Sequence, residues 1–513
     1  MFCDAERCSL SCAASPYRAK KKVGTVSSRG KEVRENYTSV FERKTKRGLK
    51  QAALRSGTLR KIKGLIDEVL SDEIEGLGDV PVKKSIGDDN SSAISSDPNP
   101  RGLTIYLHNF YENLGKFYEL NFICDNVDRV FLRSYFNNQL KEFVAENTDK
   151  TTKYKGVEIE SIKQDKLPEF ERRYRRYGDI CDATSHLHPS MLLSIVATFD
   201  TLFADLSKSL LKLRPERYDS SDRQYSVAEL LAMSRDGDFI DQVISDEVDS
   251  LMNRSHAEQI KFFEKSFSVS ISEKFNKWPN YLEIFERRNL IAHGGARVNK
   301  RYIENCERHK IECKFEEGDE IIVDFEYIKC SIDTMIEFGT ILAFAAWLKQ
   351  VPDDRDDAFQ AMNDICYDLL KLKRSRVAKE LLELCLNDFG KLTNDMMRKM
   401  MTVNLAIALR KMNNDKAAFA ALDREDWSAS SPMFQTCVYA VRGDVKNASG
   451  FLPKAKATSP GDDGISLEDV AEWPAFDWVR DMKMFQNKVR SEFGQGAAPE
   501  IDGESLISDV DVG

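Results

Sequence analysis

The segment Tyr281-Leu-Glu-Ile-Phe-Glu-Arg-Arg-Asn-Leu-Ile-Ala-His-Gly-Gly295 reads as one amphipathic helix with its stop signal attached. Tyr281, Ile284, Phe285, Ile291 and Ala292 recur at helical spacing, which predicts a helix from about Pro279 to His293 with this stripe inward. Gly294 and Gly295 supply the C-terminal break. At about 100° per residue, Asn289 and His293 share one flank, and Arg288 falls beside the apolar stripe. An arginine in that position needs an anion. Glu283 or Glu286 would serve in an ion pair, with His293 complementing the helix dipole.

Outward from this helix the periodicity stays helical. Downstream, Cys313 to Phe325 alternates around Gly318-Asp319 and predicts a small hairpin. Tyr327 to Trp347 predicts a closing helix with Ile328, Ile332, Met335 and Ile336 inward. Upstream, a helical pattern runs from Val227 to about Phe267, broken near Asp236-Gly-Asp238. Before it, Pro189 opens a long helix that buries Leu192, Ile195, Val196, Phe199, Phe203 and Leu206. From Leu103, the stripe Tyr106, Phe110, Leu114, Phe117, Tyr118 and Phe122 marks core helices, followed by a polar break over Thr148 to Lys155. Arg172-Arg-Tyr-Arg-Arg-Tyr177 is either a basic flank for RNA, through Arg172, Arg173, Arg175 and Arg176, or a solvated helix face.

Beyond Pro352 the pattern becomes paired short helices, with Ala378, Ala417 and Ala448 after successive turns and a last helix from about Trp478 to Phe493. The expected fold class is therefore all-α: a basic arm and linker over 1–102, a helical region over 103–188, a bundle over 189–351 with a hairpin insertion, helical repeats with a capping helix over 352–493, and an acidic tail over 494–513.

Composition fits this reading. A chain of 513 residues accommodates about three domains, and 42% hydrophobic with 31% charged residues is ordinary for a soluble protein. The net charge of −9 hides a basic N-terminal region, with Arg18-Ala-Lys-Lys-Lys22 and Arg43-Lys-Thr-Lys-Arg47. That arm either tethers RNA through its phosphates or remains a solvated tail. The most apolar run, Ile336 to Leu348, contains Glu337 and is shorter than a bilayer requires; with no signal-peptide pattern at the N-terminus, the expected location is cytoplasmic, with no membrane partner. The 11 cysteines include no C-x-x-C pair and suggest reduced thiols. Cys3, Cys8 and Cys12 have no matching second cluster, and His186 and His188 have no third ligand. Neither a metal nor another cofactor is expected.

Arg288-Asn289-Leu290-Ile291-Ala292-His293 resembles the R-N-x-x-x-H motif of HEPN-superfamily ribonucleases. The surrounding Glu286 to Gly295 and Val298-Asn-Lys-Arg-Tyr302 are similar to the longer segment of bacterial members. The resemblance implies metal-independent endoribonuclease activity, with His293 as the base that takes the ribose 2′-hydroxyl proton, Arg288 holding the phosphate, and Asn289 orienting one or the other. Arg287 is a weaker candidate for contact with the RNA backbone. Positions five apart on a helix point about 140° away from each other, and family members answer this by dimerising, so a homodimer is implied. The helix pairs after Pro352 resemble degenerate tetratricopeptide repeats, a site for a protein partner or regulator. Such architecture implies a toxin-like or antiviral defence enzyme. The alternative is a non-catalytic helical scaffold that grips a protein partner through its repeats.

Overall fold

The computed structural model describes residues 39–40, 101–126, 128, 132–154, 157–214, 239–389, 393–457 and 464–494. Apart from Ser39–Val40, the basic arm and linker lie outside the described residues, as do the helix expected over 227–238 and the acidic tail from 495. In chain order the elements are β1 (Ser39–Val40), α1 (Arg101–Asn126), α2 (Arg133–Asn147), β2 (Thr148–Tyr154), β3 (Val157–Ile162), α3 (Leu167–Ser185), α4 (Leu187–Lys212), α5 (Phe239–Met252), α6 (His256–Phe267), α7 (Trp278–Gly294), α8 (Lys300–Arg308) and α9 (Phe325–Gln350). They continue as α10 (Arg355–Lys371), α11 (Ser375–Asp388), α12 (Asp395–Lys411), α13 (Asp415–Leu422), α14 (Pro432–Arg442), α15 (Val445–Ala455), α16 (Leu467–Glu472) and α17 (Lys483–Phe493). The protein is thus mostly helical, as its periodicity requires.

The chain divides into two compact units, Met1–Val82 with Gln139–Tyr174 and Lys83–Asn138 with Arg175–Gly513. The smaller holds an antiparallel sheet in the order β1-β3-β2, with Thr151 opposite Glu160 and Tyr154 opposite Val157. This corrects the expected polar break at Thr148 to Lys155. The threonines and the Val157-Glu-Ile159 alternation favour extended backbone, a signal masked by the polarity of the segment. In the same unit Arg173 pairs with Glu169 at 2.8 Å and lies over the Phe143 ring.

The larger unit is organised around α4, whose Leu192, Ile195, Val196, Phe199, Phe203, Leu206 and Leu210 are fully buried. Helices α1 and α9 pack on it, and α5 and α7 complete the layer. Helix α1, assigned from sequence to a separate region over 103–188, therefore belongs to this core through Leu107, Phe110, Leu114 and Tyr118. Gly339 of α9 marks the closest approach: a Cβ there would sit 2.7 Å from the Phe110 ring and 3.1 Å from Leu202. Helix α9 has 26 residues, longer than its most apolar run suggests and long enough to cross a membrane by length and composition; it is packed into this core along most of its surface. The break expected near residues 236–238 lies outside the described residues; a second break, at Asn253–Ser255, separates α5 from α6, where Ser255 and Glu258 form a reciprocal capping box.

No hairpin forms over 313–325. The turn at Gly318 pairs instead with the segment after α7: Val298 donates to the Asp319 carbonyl at 2.9 Å, Gly318 to Val298 at 2.8 Å, and Ile321 to Ala296 at 2.8 Å. Alternation identified the extended backbone correctly but not its pairing partner.

The C-terminal helices stack in pairs, α10 with α11, α12 with α13 and α14 with α15, and the first helices of successive pairs also touch. Each pair turns through one left-handed residue, at Lys373, Asn413 and Gly443. Each turn then closes the same bond, from Arg374 to Leu369, Asn414 to Leu409 and Asp444 to Tyr439. Five residues after each left-handed residue stands a fully buried alanine, Ala378, Ala418 and Ala448, and four further on a fully buried leucine, Leu382, Leu422 and Leu452. The repeat position in the second pair is therefore Ala418, not Ala417, which is only half-buried. Helix α17 packs against α15 and covers the end of the stack.

Candidate functional site

Helix α7 is held by its aromatic face. Tyr281 and Phe285 pack against Phe199 of α4, and Tyr281 lies 4.2 Å from the Phe338 ring of α9. Beyond Phe285 the buried face departs from the expected stripe, because Arg287 and Leu290 turn inward while Ile291 is half-buried and Ala292 exposed. The arginine that needs an anion inside the fold is thus Arg287. Its guanidinium reaches Glu283 at 2.7 Å, donates to the Ile322 carbonyl at 2.8 Å and lies over the Tyr327 ring. Glu283 also accepts from the Tyr302 hydroxyl at 2.9 Å and the Tyr327 hydroxyl at 2.6 Å. Burial, followed by the Glu283 carboxylate, pushes both phenols well above their ordinary range, so they act as donors. Burial opposes the charge of Arg287, but Tyr327 and Glu283 hold it above the usual range. The role assigned to Arg287 from sequence, contact with RNA, gives way here to a structural one.

At its C-terminal end, α7 stops at Gly295 with φ +59°, followed by Ala296 at +57°, whose N–H donates to the Leu290 carbonyl at 3.1 Å. The chain reverses, and Asn299 caps α8 by accepting from the Tyr302 N–H at 2.9 Å. Leu290, Val298, Tyr302, Cys306 and Ile321 form a small second core that locks α8 onto α7. Between the two helices lies an open cleft of about 360 Å³, lined by Glu286, Asn289, Leu290, His293 and Gly294 from α7 and by Asn299, Arg301 and Tyr302.

Asn289 and His293, one helical turn apart, both line this cleft, and His293 is exposed. Arg288 is not part of the lining. It is half-buried on the adjoining flank and donates from Nη1 to the Asn289 Oδ1 at 3.1 Å. Neither neighbouring carboxylate takes it: Glu283 is committed to Arg287, and Glu286 accepts from Asn305 Nδ2 at 2.8 Å. Among the described residues Arg288 has no carboxylate partner. The trio is therefore assembled as an Asn289–His293 wall with Arg288 fastened behind it, and one copy of the chain does not bring the guanidinium and the imidazole into the same cleft.

Arg172, Arg173, Arg175 and Arg176 are all exposed on α3. Arg172 and Arg173 belong to the smaller unit; Arg175 and Arg176, which share a unit with the cleft, do not line it. Sequence reasoning gave Glu286 only the part of an ion-pair partner and assigned no individual role to Asn299, Arg301 or Tyr302. Their signal was the asparagine that caps a basic turn directly after the double glycine, which brings the next helix back over His293.

No family model, no curated protein and no solved structure matches the chain.

Proposed function

We propose that the chain is a metal-independent endoribonuclease of HEPN type, a toxin-like or antiviral defence effector whose C-terminal helix pairs are tetratricopeptide-like and receive a protein partner or regulator. The observation that carries this reading is Arg288, which among the described residues has no carboxylate partner although Glu283 and Glu286 are close in sequence, and bonds instead to a residue of the cleft wall. A guanidinium kept out of ion pairs beside a histidine-lined cleft suits an incoming phosphate.

In the proposed reaction the His293 imidazole removes the proton of a ribose 2′-hydroxyl, acting through a ring nitrogen that can accept a proton and give it back. The 2′-oxygen forms a bond to the adjacent phosphorus, the bond to the 5′-oxygen breaks, and the imidazolium returns the proton to that leaving oxygen. Arg288 stabilises the charge that builds on the non-bridging oxygens, and Asn289 fixes the guanidinium. The products are a 2′,3′-cyclic phosphate and a 5′-hydroxyl. A homodimer that faces two α7 helices across a two-fold axis supplies Arg288 of one protomer to His293 of the other.

The test is to incubate purified protein with total RNA in EDTA and map the cut ends. Cleavage should persist, leave cyclic phosphate ends, and disappear in His293→Ala. Activity lost in EDTA and restored by magnesium would sink the reading. The stacked helix pairs favour a second reading, a scaffold without catalysis; wild-type and His293→Ala protein would then affect growth and RNA integrity equally.

A further inference from the structure

We infer that Arg301 binds a backbone phosphate of single-stranded RNA in the cleft between α7 and α8. This rests on the ribonuclease reading above and extends it to the substrate class and to a second binding residue.

The argument begins with charge. Of the eight residues that line the cleft, Glu286 brings the one carboxylate and Arg301 the one guanidinium. Glu286 is turned toward α8 and held there by Asn305. Without Arg301, the cleft would carry the Glu286 carboxylate with no cation opposite it, and an entering phosphodiester would be repelled. Arg288 does not relieve this within one protomer, because it lies outside the lining. Arg301 is exposed and makes no ion pair among the described residues. Its neighbour Lys300 is instead paired with Glu304 at 3.5 Å, and Arg297 donates to the Gly318 carbonyl at 3.1 Å. Of Arg297, Lys300 and Arg301, it is Arg301 that lines the cleft.

Placement is the second part. Arg301 is carried on a helix fixed to α7 by the second core and by the Tyr302–Glu283 bond, so its Cα is held relative to His293. A long side chain on a rigid mount can clamp one phosphate while the imidazole reaches the neighbouring ribose. A cleft of about 360 Å³ has the scale of a single small ligand, one nucleotide splayed from a strand, not a stacked duplex.

The experiment uses the full chain and a single-stranded oligoribonucleotide that is 2′-O-methylated throughout and cannot be cut. Binding is measured by fluorescence anisotropy at several salt concentrations, alongside steady-state cleavage of the unmodified strand. Arg301→Ala should weaken binding about 10-fold, the scale of one charge-assisted contact. It should also flatten the salt dependence by roughly 0.7 in log–log slope, the value of one phosphate contact on a single strand. KM should rise with little change in kcat, since the contact is made before and during reaction alike. Arg301→Lys should recover part of the affinity, Arg301→Glu should lose more than the alanine variant, and Arg308→Ala, exposed on the same helix, should behave as wild type. If wild type binds and cuts while Arg301→Ala matches it in affinity and salt slope, the inference about Arg301 is overturned and the ribonuclease reading stands. If wild type neither binds nor cuts, the ribonuclease reading fails and Arg301 with it. Equal affinity for a duplex of the same length would overturn the single-stranded assignment.

Discussion

Arg288 Nη1 and Asn289 Oδ1 are hydrogen-bonded at 3.1 Å, a contact between sequence neighbours that point to different flanks of the same helix. The bond ties the guanidinium to a residue of the cleft wall, and no described carboxylate takes its charge. If the two side chains act as one device, removing either should disable it. Arg288→Ala and Asn289→Ala should each slow single-turnover cleavage by roughly 10²–10³-fold, the range for losing a charge-stabilising donor. The double variant should be no slower than the worse single one. Strictly multiplicative losses would show that they act separately.

Because one protomer does not bring Arg288 and His293 into one cleft, complementation across an interface should be measurable. Arg288→Ala and His293→Ala proteins, each strongly impaired alone, should regain part of the wild-type rate when mixed. A mixture as inactive as its components would place a complete site within each protomer. Near wild-type cleavage by either variant alone would reduce the trio to structural residues.

Glu283 is the point on which the α7–α8 arrangement depends, since it satisfies Arg287, Tyr302 and Tyr327 at once. Glu283→Ala leaves a buried guanidinium without its counter-ion and two phenols without their acceptor. The expected loss of stability is roughly 3–5 kcal/mol, read from urea unfolding as a lower midpoint at unchanged slope. A loss within about 0.5 kcal/mol, the level of an ordinary surface substitution, would contradict the buried network.

The stacked pairs make a positional prediction. Ala418 is fully buried where α12 and α13 approach, whereas Ala417 is half-buried. Ala418→Leu should overpack the pair and lower stability by about 1–3 kcal/mol. Ala417→Leu should cost markedly less. Equal thermal shifts for the two variants would remove Ala418 from the repeat position.

The sequence was most legible where the period was longest. Helix α4, α9 and the aromatic half of α7 follow from stripes of large side chains that tolerate only one packed face. What escaped was whatever depends on a distant partner. Arg287 and Arg288 are adjacent and chemically identical, and only the position of Glu283, Tyr302 and Tyr327 in space settles which one turns inward. The alternation after Cys313 was visible, but its hydrogen-bonding partner lies across α8 in sequence, and a period of two carries no address. The cleft was half legible: one spacing places Asn289 and His293 on a common flank, while the opposing wall requires the reversal at Gly295 and Ala296. In the repeats, the turns were found and the alanine missed by one residue, because Ala417 and Ala418 differ only in which way they face.

Asp333 is buried on α9, the helix that packs on α1 and α4. It accepts a hydrogen bond from the Tyr118 hydroxyl of α1, and Arg374 and Arg376, which lie at and just beyond the turn between α10 and α11, approach its carboxylate at 4.0 and 3.5 Å. Arg374 also stacks on the Tyr118 ring. The first helix of the bundle and the first turn of the repeats are therefore stitched through one acid. A chain cut at Val351, where sequence alone would separate two modules, strands that acid in an apolar interior without its cations. Bundle and stack should melt together as one cooperative body, and any strain placed on the stack would be carried to α9, the helix against which α7 rests.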